Sequence, residues 1–497
     1  MAELTFPRKQ LALFLSGMNL MIIQFVMIRS FSSILAGTEI VVMIVTLSFF
    51  AGYSVGYFCS DQISVTVFKI ASVLVLALHL TLPFSIRYLS GFLFGQGAAL
   101  LTLLTAIFVS AFGLSSYYSL LLPRFIAQEG RESVGGFYRQ EMIGGLAGLF
   151  FIFASTLFPS GSTGLMVVYL LSLVAILHCL WRSKVLLAVA CSLVLVYIGL
   201  APQLEAGSVS YLYSQRSGNN LRWIFSADTP YQRVEILEGP DQAKALYLDG
   251  MRHYGGDSLS DYNHYVSGIP ASLLSKPAVL VVGSGSMNAV HDALPYGSSV
   301  DTVEIDKVVV ESGRIYLREK PDAATEALLR EKWTLNVDDA KHFIKNTPKQ
   351  FDMVVLDVAG PLQMQVALLY SKEFFEIVSE KLTDDGILCL SLNGQLMGKS
   401  ITASRITATL LSVFRNLYVI APPNNSSFAI AGNRIPFGRA ELLQALARRG
   451  FFKTAVVDLP AAEAMLISKD IITKERMDIV PNRGIERLIH NYFREHN

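Results

Sequence analysis

Six stretches without a single Asp, Glu, Lys or Arg fill most of the first 204 residues: Leu11–Ile28, Ile40–Ser60, Ile70–Ile86, Tyr88–Pro123, Met142–Trp181 and Val185–Leu204. About 20 such residues cross the hydrocarbon core of a bilayer as a helix, which satisfies its own backbone. Met142–Trp181 is long enough for two crossings and is interrupted by the turn-forming Pro159-Ser160-Gly161-Ser162, so seven spanning helices are predicted. Tyr88–Pro123 is read as one tilted helix entered through Gly91, Gly95 and Gly97. The whole chain is 52% hydrophobic and 16% charged, a membrane composition whose apolar excess lies in this half. The first run lacks a small-residue cleavage site, so no cleavable signal peptide is expected. A net charge of +1 gives no electrostatic reason to expect a nucleic-acid partner. Cys59, Cys179, Cys191 and Cys389 are too widely spaced for a zinc site or a disulfide framework, and no metal is expected.

Within the apolar half, Gln24 and Arg29 are polar groups at membrane depth or its edge, which suits either function or pairing inside the bundle. The pairs Gly52…Gly56 and Gly144…Gly148 have the spacing of close helix contacts. Arg8, Lys9, Lys69, Arg124, Arg131, Arg139, Arg182 and Lys184 fall on one side of the predicted bundle, and Arg29 and Arg87 on the other. Basic residues collect on the cytoplasmic side, so the N-terminus is predicted to be cytoplasmic.

From Glu205 the chain changes character. Trp223-Ile224-Phe225, Arg233–Leu237 and Ala245–Leu248 are short β-type runs, the last two separated by the turn Glu238-Gly239-Pro240-Asp241. A small β-strand subdomain over 205–276 follows. Then Ala278–Val282, Val300–Ile305, Trp333–Val337, Asp352–Leu356 and Ile387–Leu392 alternate with helix-length intervals, the pattern of a doubly wound, Rossmann-like parallel sheet over 277–435. Leu417–Ala421 and Phe428–Ala431 suit an antiparallel edge, and 436–497 reads as a helical extension.

Ligands of such sheets bind at the carboxyl ends of the strands. There the first strand gives Gly283-Ser284-Gly285-Ser286, a small-residue turn that lets backbone approach a ligand. Asn288 stands where a dinucleotide fingerprint has its third glycine, which disfavours a pyrophosphate cofactor. Glu304 ends the second strand roughly 20 residues beyond Gly283, placed to accept ribose hydroxyls. Asp338-Asp339-Ala340 follows the third, suited to an adenine amino group, and Asp357-Val358-Ala359-Gly360-Pro361 the fourth. Each carboxylate also has a structural reading, as a surface group or, for Asp357, a helix cap or loop residue. Asp249-Gly250 reads as a turn, and His253 and His291 as structural.

In order, Tyr231-Gln232, Leu248-Asp249-Gly250, Gly283–Met287, Val303-Glu304-Ile305-Asp306, Asp338-Asp339-Ala340 and Leu356-Asp357 resemble the spermidine synthase family over about 222–395. Through Gln24…Arg29, Gly52…Gly56 and Gly144-Gly145, the apolar half resembles the branch in which this domain is fused to membrane helices, where Glu is more usual than Gln24. The resemblance implies ribose contacts from Gln232 and Glu304, and an adenine contact from Asp339 beside Asp338. It further implies a nucleoside cradle at Gly283 and Gly285, Asp357 as catalytic acid-base, and Tyr262 with His264 at the amine site. It implies decarboxylated S-adenosylmethionine, or S-adenosylmethionine, as co-substrate with no permanently bound cofactor, an amine such as putrescine as acceptor, and a lipid bilayer around the helices. A homodimer is compatible with it. Ser286, Gly360 and His264 stand where the family carries carboxylates, so negative charge is removed from a pocket for polycations.

The implied reaction is attack of an amine on the carbon beside a sulfonium, which needs alignment and a base for the ammonium proton. Two other classes share the features: a methyltransferase using S-adenosylmethionine, and a transporter or sensor that binds a nucleoside without turnover. A cytosolic adenosyl substrate requires a cytoplasmic soluble domain, whereas seven crossings from a cytoplasmic start put it outside. Either one run does not span, or Tyr88–Pro123 is a hairpin, or the chain starts outside.

Overall fold

The computed structural model describes residues 5–480 except 36–38, 61, 83, 98–99, 159–160, 255–260, 318–322, 399 and 424. The described residues divide into two compact units, one running up to 242 together with 247–251, the other of 243–246 and from 252 onward.

The first unit is built on α1 (Phe6–Leu35), α2 (Glu39–Cys59), α3 (Val65–Thr81), α4 (Phe84–Gly95), α5 (Leu100–Ser119), α6 (Leu121–Glu129), α7 (Val134–Thr156), α8 (Gly161–Trp181) and α9 (Lys184–Ser217). By length and composition five helical stretches could cross a membrane: Phe6–Leu35, Glu39–Cys59, Leu101–Glu129, Thr163–Trp181 and Lys184–Ser217. The pair Thr66–Thr81 and Phe84–Gly95, bent by 76°, makes a sixth if it is one broken span. Among the described residues five or six stretches thus pass by length and composition, where seven spans were expected. Tyr88–Pro123 is not one tilted helix, since α4 ends at Gly95 and α5 starts at Leu100. Val134–Thr156 falls outside the apolar set, because its first turns carry Arg139, Gln140 and Glu141. The stretch Met142–Trp181 does divide, between Thr156 and Gly161, with Pro159 and Ser160 outside the described residues. The last helix runs to Ser217 rather than stopping at Leu204.

Glycines set the helix contacts. A side chain on Gly144 would overlap the Phe14 carbonyl, one on Gly17 that of Glu141, and one on Gly148 would lie 2.6 Å from that of Met18. Rising numbers on both helices mean that α1 and α7 run parallel. Gly52 and Gly56 pack in the same way against the Phe112 and Ser116 carbonyls of α5. Both glycine pairs are therefore packing sites, where the missing Cβ lets backbones approach. At the other helix contacts polar side chains pair inside the bundle: the Asn19 amide donates to Tyr118 (3.2 Å) and to the Tyr169 carbonyl (3.3 Å).

The two ends of the bundle differ. Lys9 pairs with Glu129 (2.5 Å), Arg124 donates to the Ile63 carbonyl, and Arg182 and Lys184 join α8 to α9 at this same end. At the opposite end Arg29 donates to the Thr229 carbonyl, and Arg216 to those of Ile34 (3.3 Å) and Gly250 (3.0 Å). That end carries β1 (Arg222–Asp228) and β2 (Arg233–Glu238), an antiparallel pair within a sheet of order β1-β2-β3-β4, where β3 is Lys244–Leu248 and β4 Met251–Tyr254. Asp249 and Gly250, both at positive φ, form the turn between β3 and β4. The Asp249 carboxylate accepts from the Arg233 amide (2.8 Å).

The second unit is an α/β fold around a mixed eight-stranded sheet of order β12-β10-β11-β9-β8-β5-β6-β7. Its parallel part comprises β5 (Ala278–Gly283), β6 (Ser299–Glu304), β7 (Trp333–Val337), β8 (Phe351–Asp357) and β9 (Leu382–Ser391). Alternate residues of β5 and β8 feed two cores, Leu280, Val282, Val354 and Leu356 on one face, Val279, Val281, Met353 and Val355 on the other. Helices covering both faces explain why these strands read as unbroken apolar runs. β10 (Asn416–Ala421) and β11 (Phe428–Gly432) extend the sheet antiparallel, as expected. Residues 455–458, placed within a helical extension by the sequence reading, instead form β12 (Ala455–Asp458) beside β10. Three short apolar residues lack the length to announce a strand, and pairing with β10 supplies what propensity does not. Residues 481–497 of that extension lie outside the described residues.

Candidate active site

The parallel strands end side by side, and order β8-β5-β6-β7 brings Asp357, Gly283, Glu304 and the Asp338-Asp339 turn to one lip. Gly283 (φ +87°) is the register partner of Asp357, and a side chain on it would overlap the Asp357 carbonyl. Glycine is needed there for both reasons. The chain then turns through two further left-handed residues, Ser284 (φ 69°) and Met287 (φ 65°), with the Ser284 amide donating to the Asp357 carbonyl (3.1 Å). Such conformations persist where the surroundings impose them, and they concentrate at functional sites. Gly285 has a different reason: a Cβ would overlap Val309 of the helix Lys307–Ser312. Ser286 Oγ faces the Asn288 amide (3.4 Å).

Asp357 is a strongly perturbed group at this lip that a reaction can use. Burial raises its carboxyl to about 6, against a partial lowering by the neighbouring hydroxyls of Ser284 and Tyr262. Tyr262 is held well above the ordinary phenol range by burial first and the Asp357 charge second, so it stays a proton donor. Its ring packs edge-on against Phe428, centroids 5.2 Å apart. The loop after Asp357 is pinned by two residues that the sequence did not flag. Tyr370 donates to the Ala359 carbonyl (3.1 Å), and the Asn393 amide donates to the Tyr370 hydroxyl (2.9 Å). Asn393-Gly394 after a strand is a turn signal that could have drawn attention to Asn393; Tyr370 carries none.

Glu304 is raised to about 7, chiefly by burial, with the charges of Asp306 and Asp357 adding and backbone amides opposing. It accepts from the Asp306 amide (3.0 Å). The next strand's Asp338 amide reaches the Glu304 carbonyl (3.3 Å). Asp339 is the N-cap of the helix Ala340–Asn346, accepting from the His342 amide (2.9 Å). Asp338 accepts from the Asp339 amide (2.8 Å) and meets His342 Nδ1 (2.7 Å), which holds it below the usual carboxylate range.

Two expected residues have their partners elsewhere. His264 Nδ1 meets Asp292 (2.5 Å) and Arg449 (2.9 Å), and Arg449 continues to the Tyr296 hydroxyl (3.0 Å). Gln232 belongs to the first unit, where its carbonyl and amide close the β1–β2 turn on Thr229. Asp357, Tyr262, Glu304 and Gly283 are thus gathered by the sheet, with Asp338 and Asp339 one strand further out.

Residues 260–425 match the family model described as Spermine/spermidine synthase domain. This stretch of the second unit is therefore similar to a spermine/spermidine synthase domain. Over 213 residues, 41% of this chain and 72% of the relative, the sequence is 28% identical to the polyamine aminopropyltransferase of Prochlorococcus marinus (strain MIT 9215). It is 29% identical over 169 residues to that of Thermococcus onnurineus, covering 33% of this chain and 57% of the relative. It is 30% identical over 168 residues to that of Methanocaldococcus jannaschii, covering 33% and 56%. Two of these three relatives are thus matched over less than two thirds of their length. Among solved structures, a spermidine synthase in complex with the transition state analogue AdoDATO aligns at a TM-score of 0.41 and 19% identity, over 50% of this chain and 86% of that one.

Proposed function

We propose that this chain is a membrane-bound polyamine aminopropyltransferase of the spermidine synthase type. It would transfer an aminopropyl group from decarboxylated S-adenosylmethionine to putrescine or another amine and release methylthioadenosine. The observation that carries the reading is Asp357, a buried carboxyl raised to about 6, in register with the Gly283 turn and beside Tyr262.

In the proposed reaction the amine lone pair attacks the methylene carbon next to the sulfonium. The C–N bond forms as the C–S bond breaks, and its electron pair neutralises the sulfur. An amine with a pKa near ~10 arrives protonated, so a base must take that proton before attack. Asp357 has the matching property: with a carboxyl near 6 it is ionised at neutral pH yet more basic than an exposed aspartate. Tyr262, kept protonated, orients it and lines the amine pocket. Glu304 holds the ribose, Asp338 and Asp339 the adenine, and the backbone at Gly283 and Gly285 lies under the nucleoside. Asp339 can do this with the carboxylate oxygen that its helix cap leaves over.

The acceptor pocket is short of negative charge. Besides neutral Ser286, the family's second loop aspartate could not simply be restored at Gly360, where a Cβ would sit 2.8 Å from Asn393 Oδ1. Fewer carboxylates favour an acceptor with fewer cationic centres. Ser286 also supports a second reading, transfer from intact S-adenosylmethionine, because no carboxylate there selects against the substrate's own. The apolar helices support a multi-pass cell-membrane location, and the supply of an adenosyl donor supports a cytoplasmic second unit. Calorimetric titration of the full chain with S-adenosylmethionine, its decarboxylated form and methylthioadenosine tests the reading. Preference for the decarboxylated donor supports it, and absence of binding by all three removes it.

A further inference from the structure

A cleft in the first unit lies inside the helical bundle, at the end that carries the β1–β2 pair. It opens to solvent, and the space within it, the open part included, is about 650 Å³. Phe25, Val26, Phe84, Leu165, Met166 and Tyr197 make its apolar walls. Its polar end is formed by Arg29, Arg87, Arg233, Glu205 and Asp228.

At that end acceptors run out before donors do. Both Glu205 oxygens are in use: Oε2 accepts from Arg87 (2.5 Å), and Oε1 from Ser226 (3.0 Å) and Arg233. Asp228 is paired with Arg233 (3.0 Å), whose Nε is held by Glu235 (2.7 Å). The carboxylates are spent, and the donors are not. Arg87 is 3% exposed, yet its Nε has no acceptor among the described residues. Arg29 donates to the Thr229 carbonyl and lies over the Phe25 ring (5.7 Å), and among the described residues it meets no carboxylate. Buried guanidinium donors are ordinarily satisfied, and a guanidinium fork suits a carboxylate or phosphate. Ser30, Ser155, Thr156 and Thr163 add hydroxyls to the same wall.

We propose that the helical unit holds a ligand site of its own, which takes an anionic group on an apolar body, the anion at Arg29 and Arg87 and the body against Phe25, Phe84 and Met166. The anion supplies the acceptor that the cleft lacks. A soluble organic carboxylate and the headgroup of an anionic lipid share this chemistry. The site is separate from the proposed transfer chemistry and does not depend on it.

The test uses the full chain in phosphatidylcholine nanodiscs, titrated calorimetrically with octanoate, octylammonium and octanol, with empty nanodiscs subtracted. Saturable binding of octanoate is expected, with octylammonium and octanol at least tenfold weaker. Arg29→Gln should weaken octanoate at least tenfold. Ser155→Phe, which narrows the cleft and changes no charge, should do the same and carries the test if Arg29→Gln fails to fold. Thermal unfolding near that of the wild type shows that either variant is folded. Doping the nanodiscs with phosphatidylglycerol separates the sources: competition with octanoate assigns the site to a lipid headgroup, and its absence to a soluble carboxylate. Equal binding of octanoate and octylammonium, or folded variants that bind octanoate as the wild type does, overturns the proposal.

Discussion

Replacing Asp357 by Asn keeps its shape and most of its hydrogen bonding but removes its basicity. If Asp357 takes the amine proton, turnover should fall by about 10²–10⁴, which is roughly 3–5 kcal/mol of transition-state stabilisation. Methylthioadenosine affinity should stay within a few-fold, since the nucleoside is assigned to other residues. The same substitution should also stabilise the protein at alkaline pH. A carboxyl raised from an ordinary aspartate value to about 6 by burial reflects up to roughly 3 kcal/mol of opposition to its charged form. Because its folded value lies above its unfolded one, the folded state binds the proton more tightly. Stability therefore falls as pH rises from about 4 to 6, and the loss is complete above that window. Asn carries no such penalty, so Asp357→Asn should unfold at a higher temperature than the wild type at pH 8 and at about the same temperature at pH 4. Single-turnover assays with each adenosyl donor and several amines, beside thermal unfolding at both pH values, read out the two effects. Full activity in the Asn variant removes Asp357 from the mechanism. Lower stability of that variant at pH 8 shows instead that the Asp357 charge is favourably held, and contradicts a carboxyl raised by burial.

Glu304→Ala should weaken methylthioadenosine binding by about 1–3 kcal/mol in calorimetry, because the ribose hydroxyls lose an acceptor; unchanged affinity ends the ribose assignment. In a pH–rate profile kcat/KM should decline as pH falls through about 6, where Asp357 takes up a proton; a flat profile from pH 5 to 7 excludes that group as the base. Gly144→Val should destabilise the helical unit by about 1–3 kcal/mol or more, since its side chain would overlap the Phe14 carbonyl; a variant as stable as the wild type contradicts the parallel α1–α7 contact. A reporter fused after Asn497 should report the cytoplasm if a cytosolic donor is used. Lys9, Arg124, Arg182 and Lys184 gather at the bundle end away from the β1–β2 pair, so an external signal would follow the charge rule and exclude cytosolic adenosyl chemistry.

Strand positions were legible because β5, β6 and β8 lie between two covered faces, so each is an apolar run ending in a turn or a carboxylate. Asp357, Glu304 and Gly283 could be placed on one lip because parallel strands end at one side of a sheet. What tertiary pairing decides was hidden. β12 exists because β10 offers it an edge, and α4 separates from α5 inside one uncharged run whose composition gives no sign of the break. The partners of His264 come from Asp292 and Arg449, far away in sequence, so proximity to Tyr262 in the chain was a poor guide. Gly285 shows the same limit. Its place in a Gly-Ser-Gly-Ser turn suggested ligand approach, and the structure gives it a packing neighbour, Val309.

Whether the chain joins an amine to an aminopropyl group is decided most directly by product analysis. The purified full chain, incubated in stoichiometric amount with decarboxylated S-adenosylmethionine and a panel of mono- and diamines, should give methylthioadenosine and an amine heavier by one aminopropyl group, in equal amounts by mass spectrometry. Methylthioadenosine without a matching aminopropylated amine, or S-adenosylhomocysteine and a methylated product from intact S-adenosylmethionine, would contradict it.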